Sequence, residues 1–350
     1  MMRSLISASF GVLLMVCSAA AQGVELVYKW DLGAEHGSVL TIETRDQEQP
    51  PKDARAPERR RAAPAPNQAE PLQRSQRQEF DLSHRVVEIG ADGAATTVAT
   101  IRRVQIDAQL ADGGRFVFDS MNPAGAKGLA EGQEARLSSL VGREIRFVVE
   151  RRGRVRTAEG LEALSGAMAA PLEADGLGAL VVAARGMASN DAMKQALGGS
   201  MSLLPPEPVM LGSTWETNLE QPIPGIGSAH STWRTRLERF ERGPNGRVAV
   251  LASSAAIDVR NDDPASPIAA LLKIEEAGGR ATTRFNVDQG VAQRTEMELW
   301  AEMQTPEALA EALGGTNEGS RRLVTRMTHE LTNLHRGSRR SSPERRTPDR

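Results

Sequence analysis

Along most of the chain, apolar and polar residues alternate with a period of two, the signature of half-buried strands. Val39-Leu40-Thr41-Ile42 follows Tyr28-Lys29-Trp30 across Gly37, and Phe80, Leu82 and Val86 open a further extended run. Residues 97–106 and 115–118 flank Asp112-Gly113-Gly114, and 144–149 and 155–157 flank Arg152-Gly153. In the second half, 231–240 and 247–255 flank Pro244-Asn245-Gly246, and 280–287 and 291–300 flank Asp288-Gln289-Gly290. A glycine-bearing turn between two alternating runs predicts an antiparallel hairpin, because the tight turn needs a backbone that tolerates positive φ. Residues 321–335 place Leu323, Met327 and Leu331 at a spacing that suits a helix or one strand face. Thr325, Thr328 and Thr332 tip that stretch to strand.

Three stretches depart from this period and predict helix. Residues 159–169 are rich in Ala, Leu and Met and stop before Pro171; residues 176–197 close on Gly198-Gly199. Ser266-Pro267 places a capping hydroxyl and a first-turn proline ahead of 268–276, and Gly278 closes that segment. Residues 46–78 are rich in proline and arginine with almost no large apolar side chain, too little to offset chain entropy on folding, and predict disorder. The tail, 336–350, holds six Arg against Glu344 and Asp349 and predicts a flexible basic segment.

The two halves resemble each other. Sixty-three residues separate Trp30 from the turn at Gly93, or 30 once the 33-residue insertion is removed, and 31 separate Trp215 from Gly246. The fold class expected is therefore mainly β with α, an α+β protein: two similar curved antiparallel sheets from an internal repeat, joined and partly covered by helices. The expected organisation is a signal peptide at 1–21, a first sheet at 22–157 and a helical linker at 158–205. A second sheet at 206–335 follows, with a helix at 266–276, and then the tail.

The amino terminus changes the picture of where the chain works. Arg3, the uncharged apolar run 5–16 and Ala19-Ala20-Ala21 form the three parts of an export signal, with cleavage expected after Ala21. Lipidation at Cys17 is the weaker reading, since Val16 stands where a small residue belongs. The expectation is a periplasmic or secreted protein with no transmembrane helix in its mature chain. Cys17 is the single cysteine, so neither an intrachain disulfide nor a thiolate metal cluster is available.

Charge and composition narrow the partners. With 43 basic and 45 acidic residues, the formal net charge is −2, which argues against a nucleic-acid binder. Aromatic residues make up only 3%, few for stacking platforms. Only Lys29, Lys52, Lys127, Lys194 and Lys273 are lysines; the other basic residues are arginine.

No constellation for catalysis stands out. His36, His84, His230, His329 and His335 include no pair four residues apart, and His329-Glu330 lacks the second histidine at Asn333 that a metalloprotease helix needs. Gly198-Gly199-Ser200-Met201-Ser202 lacks the second glycine of a nucleophile elbow. Asn261-Asp262-Asp263 offers too few oxygens for calcium, and adjacent Glu275-Glu276 would face apart on a helix. No cofactor, metal or catalytic residue is expected. Trp215, Trp233, Phe240, Phe285 and Trp300 concentrate in the second half at strand positions. They predict core packing, or else the lining of an apolar cavity between sheet and helices.

At these residues the chain resembles a family of uncharacterised secreted bacterial proteins of planctomycete-type genomes. The likeness rests on the signal peptide, Tyr28-Lys29-Trp30, the stretch 142–153, and Leu203-Leu204-Pro205 leading to Gly212-Ser213-Thr214-Trp215. It implies no activity. The layout is also loosely similar to periplasmic lipoprotein carriers, a fold-level analogy. The function expected is an exported, non-catalytic β-rich protein that binds a ligand or belongs structurally to the envelope. The alternatives are a periplasmic carrier of a lipid-like apolar molecule, and an enzyme of a type without a familiar motif. The partner is accordingly an apolar small molecule or an envelope component.

Overall fold

The computed structural model describes residues 23–49, 74–109, 113–161, 204–223, 227–261, 273–305 and 319–335. Six strands come from the first half: β1 (Glu35–Gln49), β2 (Arg74–Ile89), β3 (Ala95–Gln109), β4 (Arg115–Asp119), β5 (Glu144–Val149) and β6 (Val155–Glu159). Six come from the second: β7 (Thr214–Ile223), β8 (Gly227–Gly243), β9 (Gly246–Asn261), β10 (Lys273–Asn286), β11 (Val291–Thr305) and β12 (Gly319–His335). Among the described residues, one 3-10 turn (Pro123–Gly125) and one short helix, α1 (Gln133–Ser138), are the helical elements.

All twelve strands join one antiparallel sheet, in the order β6-β5-β3-β2-β1-β12-β11-β10-β9-β8-β7, with β4 paired to β3 beside β5. This corrects the expectation of two helix-covered sheets. The described residues are almost entirely β, and the two halves are one sheet, because β1 and β12 pair along their whole lengths from Glu35↔His335 to Gln49↔Ser320. The physical reason is edge satisfaction. Separate sheets would leave β1 and β12 each with an unpaired row of backbone donors and acceptors, and each is the natural partner of the other.

Other expectations shift at the same time. The two ends of the stretch 46–78, expected to be disordered, are strand, since β1 continues to Gln49 and β2 begins at Arg74, and residues 50–73 lie outside the described residues. Backbone pairing with β12 and β3 holds those polar ends extended despite their composition. The helix expected at 266–276 ends inside β10, where Lys273, Ile274 and Glu276 pair with β11, and Gly278 is a mid-strand residue. The rest of that helix, most of 158–205, residues 1–22 and the tail lie outside the described residues. Trp30 and Trp215 are not equivalent positions, for Trp215 lies in β7 and Trp30 precedes the first strand.

The hairpin turns form where the glycines stand. Gly246 (φ 116°) and Gly290 (φ 65°) close the β8–β9 and β10–β11 hairpins in the left-handed region. A side chain at Gly290 would also collide with Lys29. Lys29 belongs to a strap, residues 23–31, that crosses one end of the sheet. Its backbone bonds Val209 through Val24 (2.7 Å), Arg151 through Tyr28 (2.6 Å) and Gly290 through Lys29 (2.9 Å). The Lys29 ammonium donates to the carbonyls of Val287 (3.0 Å) and Asp288 (3.2 Å). Arg152, in the β5–β6 turn, donates to the Pro205 carbonyl ahead of β7 (2.8 Å), so the two edges of the sheet are tied together at this end.

Alternation gives the sheet two unlike faces. One carries arginine and glutamate in cross-strand pairs. Arg77 meets Glu43 (2.6 Å), Arg326 and Arg280 both meet Glu298 (2.7 Å each), Arg294 meets Glu330 (3.2 Å) and Arg284 meets Glu241 (2.6 Å). The arginine bias of the composition is thus spent partly as rungs between strands. Such exposed pairs contribute roughly 0–1 kcal/mol each and serve mainly to keep this face wet.

The other face is apolar. Over the first half it packs Leu40, Ile42, Phe80, Ile101, Ile106, Phe116 and Phe118 beneath Leu137 of α1, Leu140 and Leu161. Over the second half, Leu26 and Tyr28 of the strap with Leu204 and Val209 cover Trp215, Leu237, Leu251 and Phe285.

Candidate functional site

Strand register lays out the apolar face between these two cores. One row across the sheet runs Ile42–Met327–Met297–Ala281–Ser253–Thr235–Trp215, and the next runs Thr44–Thr325–Leu299–Gly279–Ala255–Trp233. Trp233, Ala281 and Met297 form a small buried cluster against which Leu219, Leu299 and Met327 are half-buried. Leu323, Ala301 and Met303 extend this half-buried strip along β12 and β11.

The five aromatic residues singled out in the sequence fall in different places. Phe285 (0% exposed) and Trp215 lie in the strap-covered core, where Phe285 meets the edge of Tyr28 with ring centres 5.5 Å apart. Phe240 packs half-buried on the same core, with the Arg247 guanidinium 5.1 Å from its ring centre. Trp233 (4% exposed) belongs to the central cluster, and its ring lies over Gly279, where a methyl group would approach it to 3.0 Å. Trp300 is on the opposite, charged face, because it pairs with Gly278 while Leu299 pairs with Gly279. Four of the five therefore share a face and Trp300 does not.

A second feature lies on the apolar face that linear spacing could not show. His36 and His84 are register partners on β1 and β2, stacked with ring centres 4.8 Å apart and planes 7° from parallel. His329 of β12, opposite Leu40, turns its ring edge-on to His84 at 6.2 Å. Ser38 (2% exposed) shares a 2.8 Å hydrogen bond with His84 Nε2. The three imidazoles are half-buried, and among the described residues no carboxylate counts among the groups that shift them. Burial pushes His36 down to about 4. His329 is held at about 4 by burial and by His36. His84 is driven well below the ordinary histidine range by burial first and then by its two neighbours. At neutral pH all three are uncharged.

This arrangement is not visible in the linear spacing of the five histidines. The reason is that residues 36, 84 and 329 are brought together by the β2-β1-β12 order, which no local pattern encodes. His329 and His335 stand on a strand, so the metalloprotease helix is excluded there by geometry as well as by spacing. Among the described residues, no group of three His, Cys, Asp or Glu side chains has metal-holding geometry. Among the described residues, no helix is long and apolar enough to cross a membrane. Residues 198–202 lie outside the described residues.

At the far end of the half-buried strip, Arg321 (6% exposed) is paired with Asp46 at 3.4 Å. On the charged face, Arg239, Arg284, Arg294, Glu296 and Glu330 line an open groove of about 730 Å³. Its arginines are matched by Glu241, Glu296 and Glu330 at 2.6–3.2 Å, which leaves it without a spare cation to attract an anion.

Fold and faces together define a single-sheet β protein with a charged side, an apolar side and a strap tying its edges. The chain belongs to a family of unknown function, DUF6263, which it matches over residues 92–289, more than half its length. His36, His84 and His329 all lie outside that span. Among curated proteins, none matches the sequence. Of solved structures, the chain is similar to one described as "Lipid-protein interactions in lipovitellin", with TM-score 0.44 and 8% identity over 88% of this chain and 26% of that one. The chain thus spans about a quarter of the lipovitellin chain. It is also similar to DynF from the dynemicin biosynthesis pathway of Micromonospora chersina, with TM-score 0.20 and 7% identity over 91% of this chain and 88% of that one. Likeness at this level assigns no ligand.

Proposed function

We propose that this is an exported, non-catalytic binding protein that holds a lipid-like apolar molecule on the apolar face of its sheet. The observation that carries the reading is the half-buried strip of Met327, Leu323, Leu299, Ala301 and Met303 between two fully packed cores. An apolar face left partly open between two closed ones is where an apolar guest gains most from leaving water. Methionine and leucine side chains adapt to tails of different shape, and Ala301 beside them adds little bulk.

A fluorescent fatty acid titrated into the purified protein should bind saturably at one site. Leu323→Asp should weaken that binding at least tenfold, since a carboxylate would then sit where the tail lies. Circular dichroism should show the variant still folded. Binding that is absent or does not saturate would instead favour a structural envelope role.

Export belongs to the same proposal and rests on Arg3, the run 5–16 and the Ala19-Ala20-Ala21 site. Protein recovered from its native envelope should begin at Gln22 on N-terminal sequencing. A start at Cys17 or at Met1 would refute the cleavage.

A further inference from the structure

The proposed binding strip has two unlike ends, and this inference rests on that reading. From His329 to Leu323 on β12 is six residues, roughly 20 Å at ~3.3 Å per strand residue, the length of an extended long-chain acyl tail. One end meets Arg321, whose charge is already balanced by Asp46. The other end meets His36, His84 and His329.

We propose that the three histidines are the head-group site of this strip and take the carboxylate of a long-chain acid whose tail lies along Met327, Leu299 and Leu323. The groups facing the cluster on this face are Leu82 and Val86 on β2, Ser38 and Leu40 on β1, Leu331 on β12, Thr295 on β11 and Ala99 on β3. Among the described residues on these elements, the ionisable groups of this face next to the cluster are the three imidazoles themselves. Arg294 and Glu330 are close in register but point to the charged face, where they pair with each other. Three imidazoles packed with no counter-ion among the described residues form a site that an anion completes. Half-buried rings leave an edge for it to reach, and the Ser38 hydroxyl holds His84 in place.

The chemistry is one proton per ligand. A carboxylate that binds beside neutral imidazole draws a proton from water and leaves an imidazolium–carboxylate pair; no covalent bond is made or broken. The free cluster resists protonation chiefly because it is buried, and an opposite charge within hydrogen-bonding distance raises a histidine by about 1–3 units. Binding and protonation are therefore linked, and affinity must rise as pH falls.

The test is titration of palmitic acid and of methyl palmitate, each below its aggregation limit, from pH 7.5 to pH 6, where ionisation of the free acid changes little. Palmitate affinity should rise about fourfold across this range, as for a histidine moved from about 4 to about 6.5 on binding. Methyl palmitate affinity should stay flat. In the wild-type protein, imidazole resonances should titrate near pH 4 without palmitate and about two and a half units higher with it, a readout that needs no variant to fold. His84→Gln and His329→Gln should flatten the pH dependence of palmitate binding.

Acid and ester with the same pH profile would overturn the head-group assignment while leaving the apolar strip standing. An acid preference that is independent of pH and disappears in Arg321→Gln would also overturn it, by placing the head at the Arg321–Asp46 end. If neither compound binds, the strip itself fails as a ligand site.

Discussion

Acidification from pH 7 to pH 4 is expected to destabilise the ligand-free protein by on the order of 2 kcal/mol for each of His36 and His329, and more when His84 is included. Both groups sit near 4 in the folded protein against an ordinary 6.5. An unfolded chain would therefore bind protons at pH 5–6 that the folded chain refuses. The stabilisation is complete above about pH 6.5 and is lost progressively as pH falls through 6.5 towards 4. Full conversion of such a shift would give about 3 kcal/mol per group, and the partial exposure of these rings reduces it. The loss is centred on the β1–β12 ladder, which joins the two halves of the sheet. The measurement is urea unfolding at half-unit pH steps, comparing the wild type with His36→Gln/His329→Gln. The variant should have a clearly shallower slope above pH 5, where carboxylates have hardly begun to titrate, and keep only the share that the buried His84 contributes. An equal slope in both proteins would show that other groups govern acid stability. Saturating palmitate should shrink the wild-type loss, because its carboxylate supplies the missing counter-charge.

The second large effect concerns the aromatic residues, which differ by face. Phe285→Ala and Trp233→Ala should each cost about 3–5 kcal/mol, the penalty for emptying a buried site that its surroundings cannot refill. Phe285 also meets the ring edge of Tyr28, so its loss should loosen the strap and speed proteolysis at 23–31. Trp300→Ala should cost clearly less, because Trp300 is half-buried on the charged face, over Gly278, with no apolar layer described above it. Thermal or chemical unfolding of the three variants decides the ranking. A Trp300 variant as damaged as the other two would mean that the charged face carries a packed core of its own. A mild effect at Trp233 together with lost fatty-acid binding would move Trp233 from core to ligand wall.

The elements were largely legible because their determinants are local. Period-two alternation marks residues 97–106, 231–240 and 291–300 as strands. Gly153, Gly246 and Gly290 mark turns because a positive φ is cheap only for glycine. The three threonines at 325, 328 and 332 rightly favoured strand over helix for β12. The departures occurred where local signals compete with pairing. Residues 46–49 and 74–78 have the composition of disorder, yet they are strands because β12 and β3 supply backbone partners. The short helix α1 opens on a left-handed Gly132 without a side-chain cap, and so lacked the usual signal.

What the sequence determined by itself was therefore the hairpin series, with its turns and the alternation of charged and apolar positions. These follow from φ/ψ preference and from the two-residue side-chain period. What only the tertiary structure decided was how the halves meet and what that meeting brings together. Whether β1 and β12 pair depends on two edges separated by almost the whole chain, and no window of sequence contains both. The same pairing, with that of β1 and β2, gathers His36, His84 and His329 into one half-buried cluster. The register of β8 to β11 puts Trp300 across the sheet from Trp233, since a single step in register exchanges the faces. Strand order is a property of closure between distant segments, and the candidate site is built on that closure.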